Sequence, residues 1–191
     1  MKNTCKKGIA LLLASVLSAA LLTGCGTNVD NDIKSSPSTS EASTAGDDGT
    51  PTEIPSFLLK DMQGSTVTEA VFADKELTLV NVWATFCSPC INEMPDLESL
   101  SQEYKDKNVG FLGIVADGAD AAPQAKELLS QLGISYTNLL PNDAFTQQFL
   151  SKQDAVPYTM VVDRTGKVLE YVLGAQSPKT FRQLIDKHLG Q

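Results

Sequence analysis

The chemistry of this chain is concentrated in Cys87-Ser88-Pro89-Cys90, two thiols three residues apart. A pair at this spacing either opens and closes a disulfide or supplies half of a tetrahedral zinc site. Zinc asks for four ligands, and the processed chain offers only these two thiols and His188 near its C-terminus. No metal is therefore expected, and a structural role for His188 in its helix is the simpler reading. A dithiol carries its own two electrons, so exchange needs no organic cofactor either.

The other two cysteines leave the count at the N-terminus. Lys2, Lys6 and Lys7 precede the uncharged apolar run Ile9 to Leu22, which is too short to cross the ~30 Å hydrocarbon core as a helix. Residues 1–24 are read as a signal peptide, which removes Cys5. Leu22-Thr23-Gly24-Cys25 resembles the lipobox of bacterial lipoproteins, in which cleavage before the cysteine leaves it to carry lipid, palmitate included. An extracytoplasmic protein held to the cell membrane through Cys25 follows as the expectation.

From Gly26 to Thr52 the chain is polar and small-residue rich, with Val29 and Ile33 as its large apolar side chains. It cannot bury enough surface to offset the entropy of ordering, so residues 25–52 read as a lipidated cysteine and disordered tether. Twenty-seven flexible residues reach about 25–30 Å. Losing the three leader lysines takes the formal net charge from −8 to −11. An acidic chain with no basic stripe argues against nucleic acid as a ligand.

Residues 53–191 have the length of one domain, and their elements explain how the thiols are positioned. Phe57-Leu58-Leu59 and Thr66-Val67-Thr68, around Asp61-Met62-Gln63-Gly64, read as a β-hairpin before the main fold. Leu77 to Trp83 is almost continuously apolar and β-branched, the pattern of a strand buried on both faces. Met94, Leu97, Leu100 and Tyr104 then fall on one face of a helix beginning near Cys87. Val109 to Val115 is a second buried strand, followed by helical spacing over Ala122, Ala125, Leu129 and Leu132 up to Gly133.

Tyr136 to Leu140 is a short strand, and Phe145 with Phe149 marks a helix inserted behind it. Tyr158 to Val162 and Lys167 to Leu173 form a closing hairpin around Asp163-Arg164-Thr165-Gly166. A last helix, introduced by Ser177 and Pro178, carries Phe181, Leu184, Ile185 and Leu189. The sum is a three-layer α/β domain with a mixed sheet, whose strand-to-helix turn holds the cysteines.

At a helix N-terminus a thiol meets unsatisfied N–H groups and the positive end of the helix dipole. Such placement lowers a cysteine pKa from ~8.5 toward ~3.5–7.5. Cys87 is the expected nucleophile and Cys90, one turn in, the resolving thiol. Pro89 suits the first turn because it has no N–H to leave unmatched.

Val80 to Cys90, followed by Glu93-Met94-Pro95, resembles the active-site segment of the thioredoxin superfamily, and within it the membrane-anchored TlpA/ResA-type thiol-disulfide oxidoreductases. The likeness continues through Val156-Pro157 and Val162 to Val168. It implies a thioredoxin-like three-layer fold with an N-terminal β-hairpin extension and a helical insertion. It also implies a Cys87–Cys90 redox disulfide, a helix bent at Pro95, and a cis Pro157 facing the cysteines, with Val156 beside it to pair with a substrate strand. Trp83, Ser88, Pro89, Val156 and Pro157 become substrate-binding candidates, Trp83 reading equally as core packing, and Glu93, one turn below Cys90, a candidate proton relay, the alternative being a solvated first-turn acid that complements the helix dipole.

The position that carries a titrating acid in thioredoxin itself is Asn81 here. Phe86 and Tyr158 replace residues usual in the family, and both are expected to rim the docking surface. The implied partners of this monomer are disulfides in exported proteins, such as apocytochrome c in cytochrome c maturation, a secreted methionine sulfoxide reductase or a peroxidase. The implied electron donor is a transmembrane carrier of the CcdA/DsbD kind. The reading is a reductase; a disulfide-forming oxidase and a non-catalytic binding lipoprotein are the alternatives.

Overall fold

The computed structural model describes residues 49–190; the leader, Cys25 and most of the tether lie outside them. Seven strands form one mixed sheet: β1 (Leu58–Asp61), β2 (Thr66–Thr68), β3 (Leu77–Trp83), β4 (Val109–Val115), β5 (Thr137–Leu140), β6 (Tyr158–Val162) and β7 (Val168–Leu173). Their order across the sheet is β2-β1-β5-β4-β3-β6-β7. β3 lies at the heart of it, parallel to β4 and antiparallel to β6. Every residue of β3 is buried, as its unbroken apolar run requires. The N-terminal hairpin joins this sheet, because β1 pairs with β5 at Lys60↔Leu140.

Helices cover both faces. On one lie α1 (Ser88–Glu103), α2 (Ala122–Gln131) and α4 (Pro178–His188). Leu97 and Leu100 of α1 pack with Phe181 and Ile185 of α4 over Leu77, Leu79 and Val161 of the sheet. Each fully buried leucine contributes about 1.5–3 kcal/mol relative to exposure. On the other face α3 (Asp143–Gln148) sets Phe145 against Val80, Val82, Leu112 and Ile114, with Phe149 just beyond its end. α3 and a short 3-10 turn at Leu150–Lys152 fill the β5-to-β6 connection.

The first described residues are tied to the closing hairpin: Thr52 O accepts from Val168 N at 2.9 Å and Ile54 N donates to Gly166 O at 2.8 Å, and Ile54 is buried.

Candidate active site

β3 delivers the chain to the cysteines. After Trp83, the segment Ala84 to Phe86 turns, Cys87 N donating to Ala84 O at 3.0 Å, and Cys87 becomes the N-cap of α1. Cys90 N donates to Cys87 Sγ at 3.2 Å, so the first sulfur collects an orphan helix N–H as well as the dipole. The two sulfurs form a disulfide with Cα atoms 5.3 Å apart. Cys90 is fully buried and Cys87 is 7% exposed, which divides the pair into an attacking and a resolving sulfur. Pro95 lies inside α1, where it removes one backbone hydrogen bond.

Facing Cys87 is the β6 entry loop. The Val156–Pro157 bond is cis, and Cys87 Sγ lies 3.7 Å from Val156 O. Between them opens a groove of about 670 Å³, walled by Phe86, Cys87, Ser88 and Pro89 on one side and Asp154 to Val156 on the other. Phe86 is 76% exposed on its rim. Tyr158 corrects its expected place: it is buried at the groove floor, its ring 5.6 Å from that of Tyr171.

Trp83 also sits elsewhere than a docking surface. It is fully buried among Cys87, Cys90, Met94 and Val115, and its Nε1 donates to Asn138 Oδ1 at 2.9 Å. It supports the pair from beneath and cannot touch a docked chain. Gly113 makes the bond feasible, since a Cβ there would fall 1.8 Å from Asn138 Oδ1.

Glu93 is buried, not a solvated first-turn acid. Asn81 Nδ2 donates to its Oε1 at 2.9 Å and the Gln176 backbone N–H to its Oε2 at 3.0 Å. Burial raises its pKa above the ordinary carboxylate value; those two donors oppose the rise, and Asp96 adds to it. Asn81 itself is held by β3, and its amide also donates to Thr159 Oγ1 on β6. His188 is occupied away from the cysteines, 2.9 Å from Glu170 Oε2.

A family model described as Redoxin matches residues 48–185. The chain belongs to the redoxin family. Thiol-disulfide oxidoreductase ResA of Bacillus thuringiensis is 28% identical over 137 residues, covering 71% of this redoxin and 76% of its own length. Thiol:disulfide interchange protein HelX of Rhodobacter capsulatus is 30% identical over 119 residues, 62% of this chain and 64% of its own. A thiol:disulfide interchange protein of the thioredoxin family from Chlorobium tepidum superposes with a TM-score of 0.63 at 26% identity, covering 73% of the redoxin and 97% of that structure. Together with the Cys87–Cys90 pair, these likenesses make this redoxin a TlpA/ResA-type member of the thioredoxin superfamily and a thiol-disulfide oxidoreductase.

Several of the redoxin's supporting residues escape sequence reasoning. Asp117, just after β4, accepts from Thr85 N at 3.1 Å and Thr85 Oγ1 at 2.5 Å, pinning the loop two residues before Cys87. Nothing in its neighbourhood in the chain announces this. Asn138 had one available signal, Gly113 within a buried strand, which marks a close approach by something. Gln176 acts through its backbone, which carries no signal at all.

Proposed function

We propose that this oxidoreductase is an extracytoplasmic reductase, anchored by lipid on Cys25, that acts on disulfides in exported proteins. The observation that carries the reading is the placement of Cys87 at the N-terminus of α1, at the edge of a groove and beside the Val156 carbonyl, with Cys90 sealed beneath.

The Cys87 thiolate attacks one sulfur of the partner's disulfide, forming a mixed disulfide and releasing the first partner thiolate, which takes a proton from water. Glu93 accepts the proton of Cys90, and the new Cys90 thiolate attacks Cys87 Sγ. The Cys87–Cys90 bond forms, the mixed disulfide breaks, and the second partner thiolate leaves. Two electrons pass from the protein dithiol to the partner. A membrane carrier of the CcdA/DsbD kind, with a dithiol of its own, supplies them again.

Glu93 supports the reductase direction. When ionised, Glu93 places a negative charge one turn below Cys90, which disfavours the thiolate and so favours the disulfide form of the pair. The location rests on the basic leader, the apolar run and Leu22-Thr23-Gly24-Cys25. The named partners, apocytochrome c, a methionine sulfoxide reductase or a peroxidase, rest on family likeness.

The test has two parts. Expressed in its host, the Cys90→Ser variant should hold exported proteins on Cys87 as mixed disulfides, and membrane fractions should contain it only while Cys25 is present. The wild-type pair should show a reduction potential near or below about −270 mV; one near about −120 mV would make it an oxidase.

A further inference from the structure

Four acids of the described residues pair with cations: Glu76 with Arg164, Glu103 with Arg182, Glu170 with Lys187 and Asp186 with Lys107. Other acids scattered over the surface have no such pair, and the redox groove is set apart by where its acids gather. Its charged lining residues are Asp117 and Asp154, with no lysine or arginine. A neighbouring hollow shares Ala116, Asp117 and Thr146 with it and adds Asp120 and Asp143, again without a basic residue. None of these four aspartates forms an ion pair with another of the described residues.

Asp117 shows why the pattern bears on docking. Its Oδ2 is committed to Thr85, in the loop that presents Cys87, while its Oδ1 has no hydrogen-bond partner. A carboxylate is therefore fixed beside the nucleophile with its charge unneutralised. The rest of the groove wall is largely apolar, including Phe86, Leu150 and Val156, and weakens the field less than water would.

We infer that the preferred partner carries lysine or arginine next to the disulfide it presents to Cys87, and that the aspartates of the groove and its adjoining hollow select it. This rests on the reductase reading and names the substrate class of the same site. Apolar contact with Phe86 and Val156 seats the partner strand, and the basic side chain turns out toward the exposed Asp120, Asp143 and Asp154, with Asp117 adding to the field from within the wall. A cystine flanked by acids meets like charge and docks poorly. Selection acts mainly on association, so it weakens as salt screens the groove, the Debye length falling from about 30 Å at 0.01 M to about 3 Å at 1 M.

The test uses the full-length chain, reduced, and three peptides that each hold one internal disulfide and differ only in the two residues flanking it: lysine, glutamine or glutamate. Each second-order rate is divided by that of the same peptide with dithiothreitol, which removes the intrinsic effect of the charges on the disulfide. The lysine peptide should react about tenfold faster than the glutamine peptide at low ionic strength, the glutamate peptide more slowly still, and the spread should close in concentrated salt.

Combining Asp120→Asn, Asp143→Asn and Asp154→Asn leaves the Asp117–Thr85 contact in place and should lower the lysine-to-glutamine ratio at least threefold. Because the ratio is taken within one protein, changes in folded fraction or thiol reactivity cancel. A ratio near one in the wild type at low salt, or one that survives the triple substitution, overturns the inference while leaving the reductase standing. Failure to reduce any of the peptides overturns the reductase reading, and the inference falls with it.

Discussion

Glu93→Gln separates the charge of this residue from its shape. The carboxylate receives two donors, the Asn81 amide and the Gln176 backbone N–H, on different oxygens. Glutamine offers one acceptor oxygen and turns an N–H toward the other donor. An unmatched buried donor costs about 1–3 kcal/mol, a factor of about 5–150 in the folding equilibrium. Against this, the ionised wild-type carboxyl bears the burial penalty that raises its pKa, and glutamine does not. With a folded pKa above the unfolded one, the contribution of Glu93 to stability is complete below the ordinary value of 4.5 and is lost as pH rises through the folded value. The deficit of the variant should therefore be largest near pH 4 and narrow toward pH 8. Urea unfolding of both oxidised proteins across that range measures it, and the other titrating groups cancel in the difference. A deficit that does not change with pH refutes the raised pKa. Removing the charge should also lower the pKa of Cys90 and make the reduction potential less negative; if neither thiol titration moves, Glu93 is no proton relay.

Further outcomes follow from contacts around the pair and the closing hairpin. Gly113→Ala should destabilise by about 2–5 kcal/mol in denaturant unfolding, because its Cβ displaces Asn138 and strands the buried Trp83 N–H. Asn138→Ala alone should cost about 1–3 kcal/mol, and adding Gly113→Ala to it little more; strict additivity would show that the two do not meet. At Asp163, partial burial pushes the carboxyl up, but bonds from Thr165 and from the Lys167 N–H outweigh it and hold the pKa below the ordinary value. Asp163→Ala should therefore cost about 1 kcal/mol at pH 7, with the loss fading as pH falls through the depressed folded pKa.

The order of elements and the identity of the reacting pair are legible in the amino-acid order alone. Leu77 to Trp83 and Val109 to Val115 read as buried strands because their apolar runs are continuous, and α1 and α4 because their apolar residues recur at helical spacing. Cys87 and Cys90 were legible because thiols are scarce and the spacing fits one turn of helix. Each of these signals is local. Contacts between residues far apart in the chain come from the packed fold instead: Asp117 on Thr85, Asn138 on Trp83, the Gln176 N–H on Glu93 and the aspartates gathered near Cys87. Trp83 and Tyr158, readable only as aromatic residues near the site, were placed beneath it by the packing of α1, β4 and β7. Side-chain periodicity reports which face of an element is buried, whereas hydrogen bonds and charge depend on what the fold brings to that face.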